Sequence, residues 1–128
     1  MKSFGVNIDH VATIRNARGE GHPDIIEIAN IVRNSGASSI TVHLREDRRH
    51  IQDRDVFLLK ETIKSKLNLE MAATPEMLEI SKKLVPDYVT LVPEKREEVT
   101  TEGGLNVKNN EKYLKNFVKS LNDSNIEV

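Results

Sequence analysis

Residues 39–45 read SITVHLR, and the alternate positions of that stretch differ in kind. Ile40, Val42 and Leu44 form one set, and Thr41, His43 and Arg45 form the other. Successive side chains of a strand point to opposite faces. The stretch is therefore a strand with one apolar face and one polar face. A central strand of an open doubly wound sheet lies between two helix layers and is apolar on both sides. In a closed parallel barrel, one set of side chains meets the outer helices and the other faces the interior. The pattern of 39–45 favours the barrel.

Working outward, the same pattern recurs. Strands are expected at 3–9 (SFGVNID), 66–72 (KLNLEMA) and 88–94 (YVTLVPE), each short and bounded by breakers. Val6 and Ile8 oppose Asn7 and Asp9. Leu67, Leu69 and Met71 oppose Asn68 and Glu70. Val89 and Leu91 oppose Thr90, Val92 and Glu94. Helical periodicity fills the gaps at 24–36, 53–65, 74–85 and 110–125. Asp24 with Glu27 has the spacing of a capping box, and Gly36 fits a C-cap. Asp53 or Asp55 suits the start of the next helix, which carries Val56, Leu59 and Ile63 on one stripe. Thr74 followed by Pro75 opens the third. Tyr113, Leu114, Phe117, Val118 and Leu121 share a face of the last. Segment 15–24 (RNARGEGHPD) is expected to be a loop, either simply exposed or holding Arg15 or Arg18 over an anionic group. Residues 126–128 (IEV) fit the opening of a fifth strand.

Alternating strands and helices specify parallel α/β architecture. The expected fold is a (β/α)8 TIM barrel of which this chain covers about the first four βα units. On this reading residues 1–128 are the N-terminal half of a single barrel domain, with no separate second domain.

Composition narrows the function classes. Hydrophobic residues make up 38% and charged residues 30%, as in globular proteins. A formal charge of −1 and 4% aromatic content argue against a general nucleic-acid binder. The absence of cysteine removes disulfides and thiolate metal sites. No apolar run approaches the ~18 residues of a membrane span, and MKSFGVNID lacks the apolar core of a signal peptide. The cytoplasm is the expected compartment, without membrane or nucleic-acid partners.

The ionisable residues gather toward the C-terminal ends of the expected strands, where barrel enzymes place their chemistry. His43, Arg45, Glu70, Asn7 and Asp9 would converge there, with His10 just past the end of the first strand. A carboxylate beside an imidazole can pass protons both ways near neutral pH. Arg45 offers a planar fork to a phosphate or a polarised oxygen. Two other readings use the same residues. They form a satisfied polar plug, or Asp9, His43, His50 and Glu70 bind a metal, although no close ligand spacing supports the second. The long connection after the fourth strand (PEKREEVTTEGGLN, 93–106) suits a lid hinged at Gly103 and Gly104.

Four stretches, GVNIDHVATIRNARG (5–19), ITVHLREDRRHIQDRDV (40–56), NLEMA (68–72) and LVPEKREEVTTEGGL (91–105), resemble the pyridoxine 5′-phosphate synthase family of vitamin B6 biosynthesis. They cover most of the chain in family order. The resemblance implies a transferase that condenses 1-deoxy-D-xylulose 5-phosphate with 3-amino-2-oxopropyl phosphate, yielding pyridoxine 5′-phosphate, phosphate and water. It implies no metal or organic cofactor, and a homo-oligomer. It assigns proton transfer to His43 and Glu70, and contacts to the aminooxopropyl phosphate to Asn7 and Arg18. It assigns contacts to the deoxyxylulose phosphate, or to the product, to Asp9, His10, Arg45, His50 and Thr100. The connection after strand four matches the family's covering loop. A further catalytic histidine and a glycine-rich phosphate site belong to the family's second half. Competing readings are another phosphate-handling barrel enzyme, which would place a lysine or another base at a strand end, a non-catalytic half-barrel, or a module in which REDRRH (45–50) binds RNA or a protein.

Overall fold

The computed structural model describes residues 3–100 and 102–128; Met1, Lys2 and Thr101 lie outside the description. Strands β1 (Gly5–Asn7), β2 (Ser39–His43), β3 (Lys66–Met71) and β4 (Tyr88–Leu91) form one parallel sheet. Their spatial order is β1-β2-β3-β4. A doubly wound sheet reverses its strand order at a switch point. This sheet does not reverse, so each connection steps the same way, as in the first four units of a (β/α)8 barrel. The expected fifth strand begins as a parallel bridge from Glu127 to Tyr88, with the Val89 N–H donating to the Glu127 carbonyl at 2.8 Å.

The helices are α1 (Asp9–Arg18), α2 (Ile25–Asn34), α3 (Asp53–Thr62), α4 (Pro75–Leu84) and α5 (Glu111–Asn122). Asp24 caps α2 by accepting the Ile26 and Glu27 amides, and the chain leaves that helix through Gly36 at φ 99°. Thr74 caps α4 through the Met77 amide, with Pro75 in its first turn. At α3 the cap is Gln52, one residue before the expected aspartates. Asp55, three residues on, accepts the Gln52 amide at 2.8 Å.

The apolar strand set packs inward against the helices. Ile40, Val42, Leu44, Leu67, Leu69, Met71 and Val89 are buried in one cluster with Ala29, Val56, Leu59, Met77, Phe117 and Leu121. Each fully buried aliphatic side chain contributes ~1.5–3 kcal/mol. Leu114, Phe117 and Leu121 are the buried stripe of α5, whereas Tyr113 sits at its margin, largely exposed, with its hydroxyl donating to the Ala73 carbonyl at 2.8 Å. The polar strand set faces the other way. Asn68 Nδ2 donates to Thr41 Oγ1 at 3.3 Å, and Thr90 Oγ1 donates to Asn68 Oδ1 at 3.0 Å. These bonds tie β2, β3 and β4 across the interior face.

Three expectations are corrected. The strands are shorter than read, β1 most of all. Asp9 is the first residue of α1 rather than the last of a strand. Segment 15–24 is not all loop, because α1 runs through Arg18 and ends at Gly19, whose φ of 67° closes the helix in the left-handed region. Arg15, considered with Arg18 as an anion contact, is neither exposed nor free: it is buried and held by Asp55 at 2.8 and 2.9 Å.

Candidate active site

The site forms where β1, β2 and β3 end. Parallel register places His43 directly beside Glu70, and period-2 alternation sends both side chains to the interior face. Asp9 reaches the same place from the first turn of α1. Its Oδ1 accepts the His43 amide at 2.7 Å, and its Oδ2 accepts Asn7 Nδ2 at 2.8 Å. Asn7 Oδ1 in turn accepts the Asp9 amide at 2.9 Å. The short β1 thus ends in a reciprocal Asn7–Asp9 clasp that turns the chain into α1 and pins Asp9 against β2. Asp9, His43 and Glu70 each bring a donor atom to within 4.8 Å of the other two.

His43 is held from the far side. Its Nε2 lies 2.8 Å from Glu94 Oε1, and the Glu94 side chain is only 4% exposed. Glu94 Oε2 accepts the Glu46 amide at 3.0 Å. The Glu94 amide itself donates to the Glu98 carboxylate at 2.8 Å. Glu94 stands in the interior set of the fourth expected strand, but nothing in the sequence singles it out. Its position is reached because Val92 still pairs with Met71, N–H to carbonyl at 3.0 Å, beyond the end of β4.

Glu70 is a group whose ionisation the site alters. Loss of water around it pushes its pKa above the ordinary glutamate value; His43 opposes that shift and Asp9 adds to it. A carboxyl shifted upward is a better base once ionised, and closer in pKa to the protons it would move.

His50 borders the cluster, its ring 6.2 Å from that of His43 at 61°. Burial pushes its pKa below the ordinary imidazole value, and the neighbouring His43, Arg45 and His10 add to the depression while Asp9 opposes it. Its carbonyl is fixed by Asn16 Nδ2 at 2.9 Å, with Gln52 Nε2 and Arg15 Nη2 at longer range. The buried Arg15–Asp55 pair thus lies against the His50 carbonyl and has both Asp55 oxygens engaged by the Arg15 guanidinium. Arg45 points to Asp47, at 3.2 and 3.3 Å, and is a quarter or less exposed.

The remaining candidates sit further out. His10 is exposed on α1, near Thr13. Arg18 is exposed and paired with Glu20 at 3.1 Å. Thr100 is half-buried in the connection after β4, where its N–H donates to the Gly104 carbonyl at 2.7 Å. That connection is folded: a 3-10 turn spans Arg96–Glu98, and Val99 bridges Leu105. Of the four residues considered as metal ligands, Asp9, His43 and Glu70 come together and His50 stands outside their cluster. Both Asp9 oxygens and His43 Nε2 already have partners within the protein.

Residues 4–128 match the model of the family described as pyridoxal phosphate biosynthesis protein PdxJ. The chain is 73% identical over its full 128 residues to the pyridoxine 5′-phosphate synthase of Prochlorococcus marinus strain MIT 9515, covering 54% of that protein. It is 59% identical over 128 residues to the synthase of Acaryochloris marina strain MBIC 11017, covering 53% of it. It is 60% identical over 126 residues to that of Ehrlichia ruminantium strain Gardel, again 53% of the relative. The chain spans about half the length of the curated relatives it matches. With four parallel βα units in barrel order and a match that runs from residue 4 to residue 128, the chain belongs to the PdxJ family.

Proposed function

We propose that the protein carrying this chain is a pyridoxine 5′-phosphate synthase. It would condense 1-deoxy-D-xylulose 5-phosphate with 3-amino-2-oxopropyl phosphate to give pyridoxine 5′-phosphate, phosphate and water. Residues 1–128 would supply the first half of its barrel domain and of its site. The observation that carries this reading is the meeting of Asp9, His43 and Glu70 at three adjacent strand ends in a chain of this family. Amine addition to a ketone, dehydration, phosphate loss and ring closure all move protons. Such a sequence needs positioned acids and bases more than a nucleophile. Glu70, desolvated, and His43, oriented by Glu94, are the proton carriers. Asn7 and Arg18 would contact the aminooxopropyl phosphate, and Asp9, His10, Arg45, His50 and Thr100 the deoxyxylulose phosphate or the product. The protein would work in the cytoplasm as a homo-oligomer; among the described residues no helix is long and apolar enough to cross a membrane.

The test is an assay of the full-length protein with both phosphates, monitored for pyridoxine 5′-phosphate and released phosphate. No product under conditions where a relative is active refutes the reading. The 128-residue chain assayed alone is expected to make none, because the family's further histidine and phosphate site belong to the other half.

Two further results are expected. Arg45→Lys should raise the apparent KM for deoxyxylulose phosphate by about tenfold, the scale of one charge-assisted hydrogen bond, since an ammonium cannot reproduce a bidentate fork. An unchanged KM would remove Arg45 from binding. Backbone amides of residues 94–100 and 102–105 should exchange faster than those of β2 and β3 without ligand, and slow when both substrates or phosphate are present. Exchange that is slow throughout and unaffected by ligand would rule out a closing segment.

A further inference from the structure

We propose that Glu94 is a positioning residue that fixes His43 with its ring proton on Nε2, so that Nδ1 is the basic nitrogen, while His50 serves in the opposite sense as a neutral Nε2–H donor. A carboxylate accepts hydrogen bonds and has no hydrogen to give when ionised. The hydrogen between His43 Nε2 and Glu94 Oε1, 2.8 Å apart, therefore belongs to the imidazole. Glu94 cannot easily turn away. Its other oxygen accepts the Glu46 amide, its own amide is bonded to Glu98, and its side chain is almost wholly buried. In neutral His43 the lone pair is then on Nδ1, which has no hydrogen bond among the described residues. When Nδ1 takes a proton, the resulting imidazolium lies against the Glu94 carboxylate, which stabilises it without accepting the proton.

His50 is set the other way by its own backbone. The Ile51 amide donates to His50 Nδ1 at 2.8 Å, and an amide N–H cannot accept. Nδ1 of His50 is accordingly the lone-pair nitrogen, and the proton resides on Nε2. The His50 carbonyl is clamped by Asn16, so the ring is placed by backbone and side-chain bonds together. Two imidazoles whose ring centroids lie 6.2 Å apart thus carry different chemistry: a base on His43 and a donor on His50. Steps that take a proton from one atom while an oxygen gains negative charge use such a pair directly.

The catalytic consequence rests on the synthase reading; the placement of the protons does not. Both are tested in the full-length protein that carries this chain, labelled with 15N in its histidine rings. Wild-type spectra should show neutral His43 and neutral His50 each protonated on Nε2. In Glu94→Ala, His43 should become a mixture of tautomers while His50 is unchanged. Turnover in that variant should fall about 10- to 100-fold, part of the contribution of a positioned base, with KM changed by less than about threefold. Glu94→Gln, which keeps an acceptor and loses the charge, should fall between wild type and Glu94→Ala. Wild-type His43 protonated on Nδ1 would overturn the proposal, and that reading needs no variant to fold. So would a Glu94→Ala protein with unaltered tautomer or unaltered turnover. A wild-type protein that shows the expected ring protons but does not condense the two phosphates would instead refute the synthase reading and leave the placement of the protons standing.

Discussion

On the proposed synthase reading, Glu70→Gln in the full-length protein should lower turnover by about 10²- to 10⁴-fold, the range attributed to a positioned general acid or base, with little change in the affinity for the phosphorylated substrates of that reading. Glutamine keeps the shape of the side chain beside His43 and removes the proton acceptor. Loss confined to the chemical step is the signature of a group that acts in the transition state. The pH profile provides an independent check. Desolvation raises the Glu70 pKa above the ordinary glutamate value. If the ionised form is the base, kcat/KM must rise with pH through that raised value, and the acidic limb should lie higher than an exposed glutamate would place it. The same shift has a stability consequence. The folded pKa is above the unfolded one, so folding favours the protonated form. Stability associated with Glu70 is fully present below the unfolded pKa and is lost as pH rises through the folded pKa. Glu70→Gln should therefore unfold at an equal or higher denaturant concentration than wild type at neutral pH, and show no such gain in acid. A variant that is inactive and also less stable at neutral pH would mean that Glu70 supports the fold rather than the chemistry.

The sheet was legible because burial follows side-chain alternation so closely. Ile40, Val42 and Leu44 are 1% exposed or less, and the intervening Thr41, His43 and Arg45 are not buried. One face of β2 therefore reports the helix layer and the other the interior, and strand order confirms what that asymmetry implies. The first unit was harder to read. Alternation of Asn7 and Asp9 suggests that the strand continues, yet the Asn7 side chain bonds to the Asp9 amide and turns the backbone into a helix. Such local side-chain bonds compete with a ladder and leave little trace in hydropathy. Both readings carry Asp9 to the same neighbours, His43 and Glu70.

Arg15 and Glu94 show what single-sequence reasoning lacks. Arg15 lies among exposed residues in a segment rich in arginine and glycine, and its partner is 40 residues away. Pairing at that separation is set by how the tertiary fold brings α1 to the start of α3, which no local pattern encodes. Glu94 lies in a strongly charged connection, where one more glutamate carries no signal. Its distinction comes from the His43 ring 51 residues earlier in the chain. Arg45 and His10 were legible as residues near a mouth, but their side-chain directions depend on loop conformations that alternation does not reach.

Removing one partner of the Arg15–Asp55 pair should cause the largest loss of stability among the changes considered. Both side chains are almost fully buried, at 7% and 5% exposure, and their two bonds are 2.8 and 2.9 Å long. Asp55 also accepts the Gln52 amide and so completes the start of α3. Asp55→Ala leaves a guanidinium without its counter-ion in a dry site and an unsatisfied amide at the helix start. The first effect costs ~3–5 kcal/mol, and the second adds about 1 kcal/mol. Arg15→Met with Asp55→Leu removes both charges together, so most of the first cost should disappear and only the lost cap should remain. Arg18→Ala supplies the contrast. Its pair with Glu20 is more than half exposed on both sides, and such pairs contribute ~0–1 kcal/mol. Denaturant unfolding of the four proteins should therefore rank Asp55→Ala well below the double variant, and the double variant slightly below wild type and Arg18→Ala. If the double variant proved as unstable as Asp55→Ala, the pair would be acting through its bonds to Gln52 and His50 rather than through charge compensation. If Asp55→Ala proved as stable as Arg18→Ala, the Arg15–Asp55 pair would not be a buried, charge-compensated contact between α1 and α3.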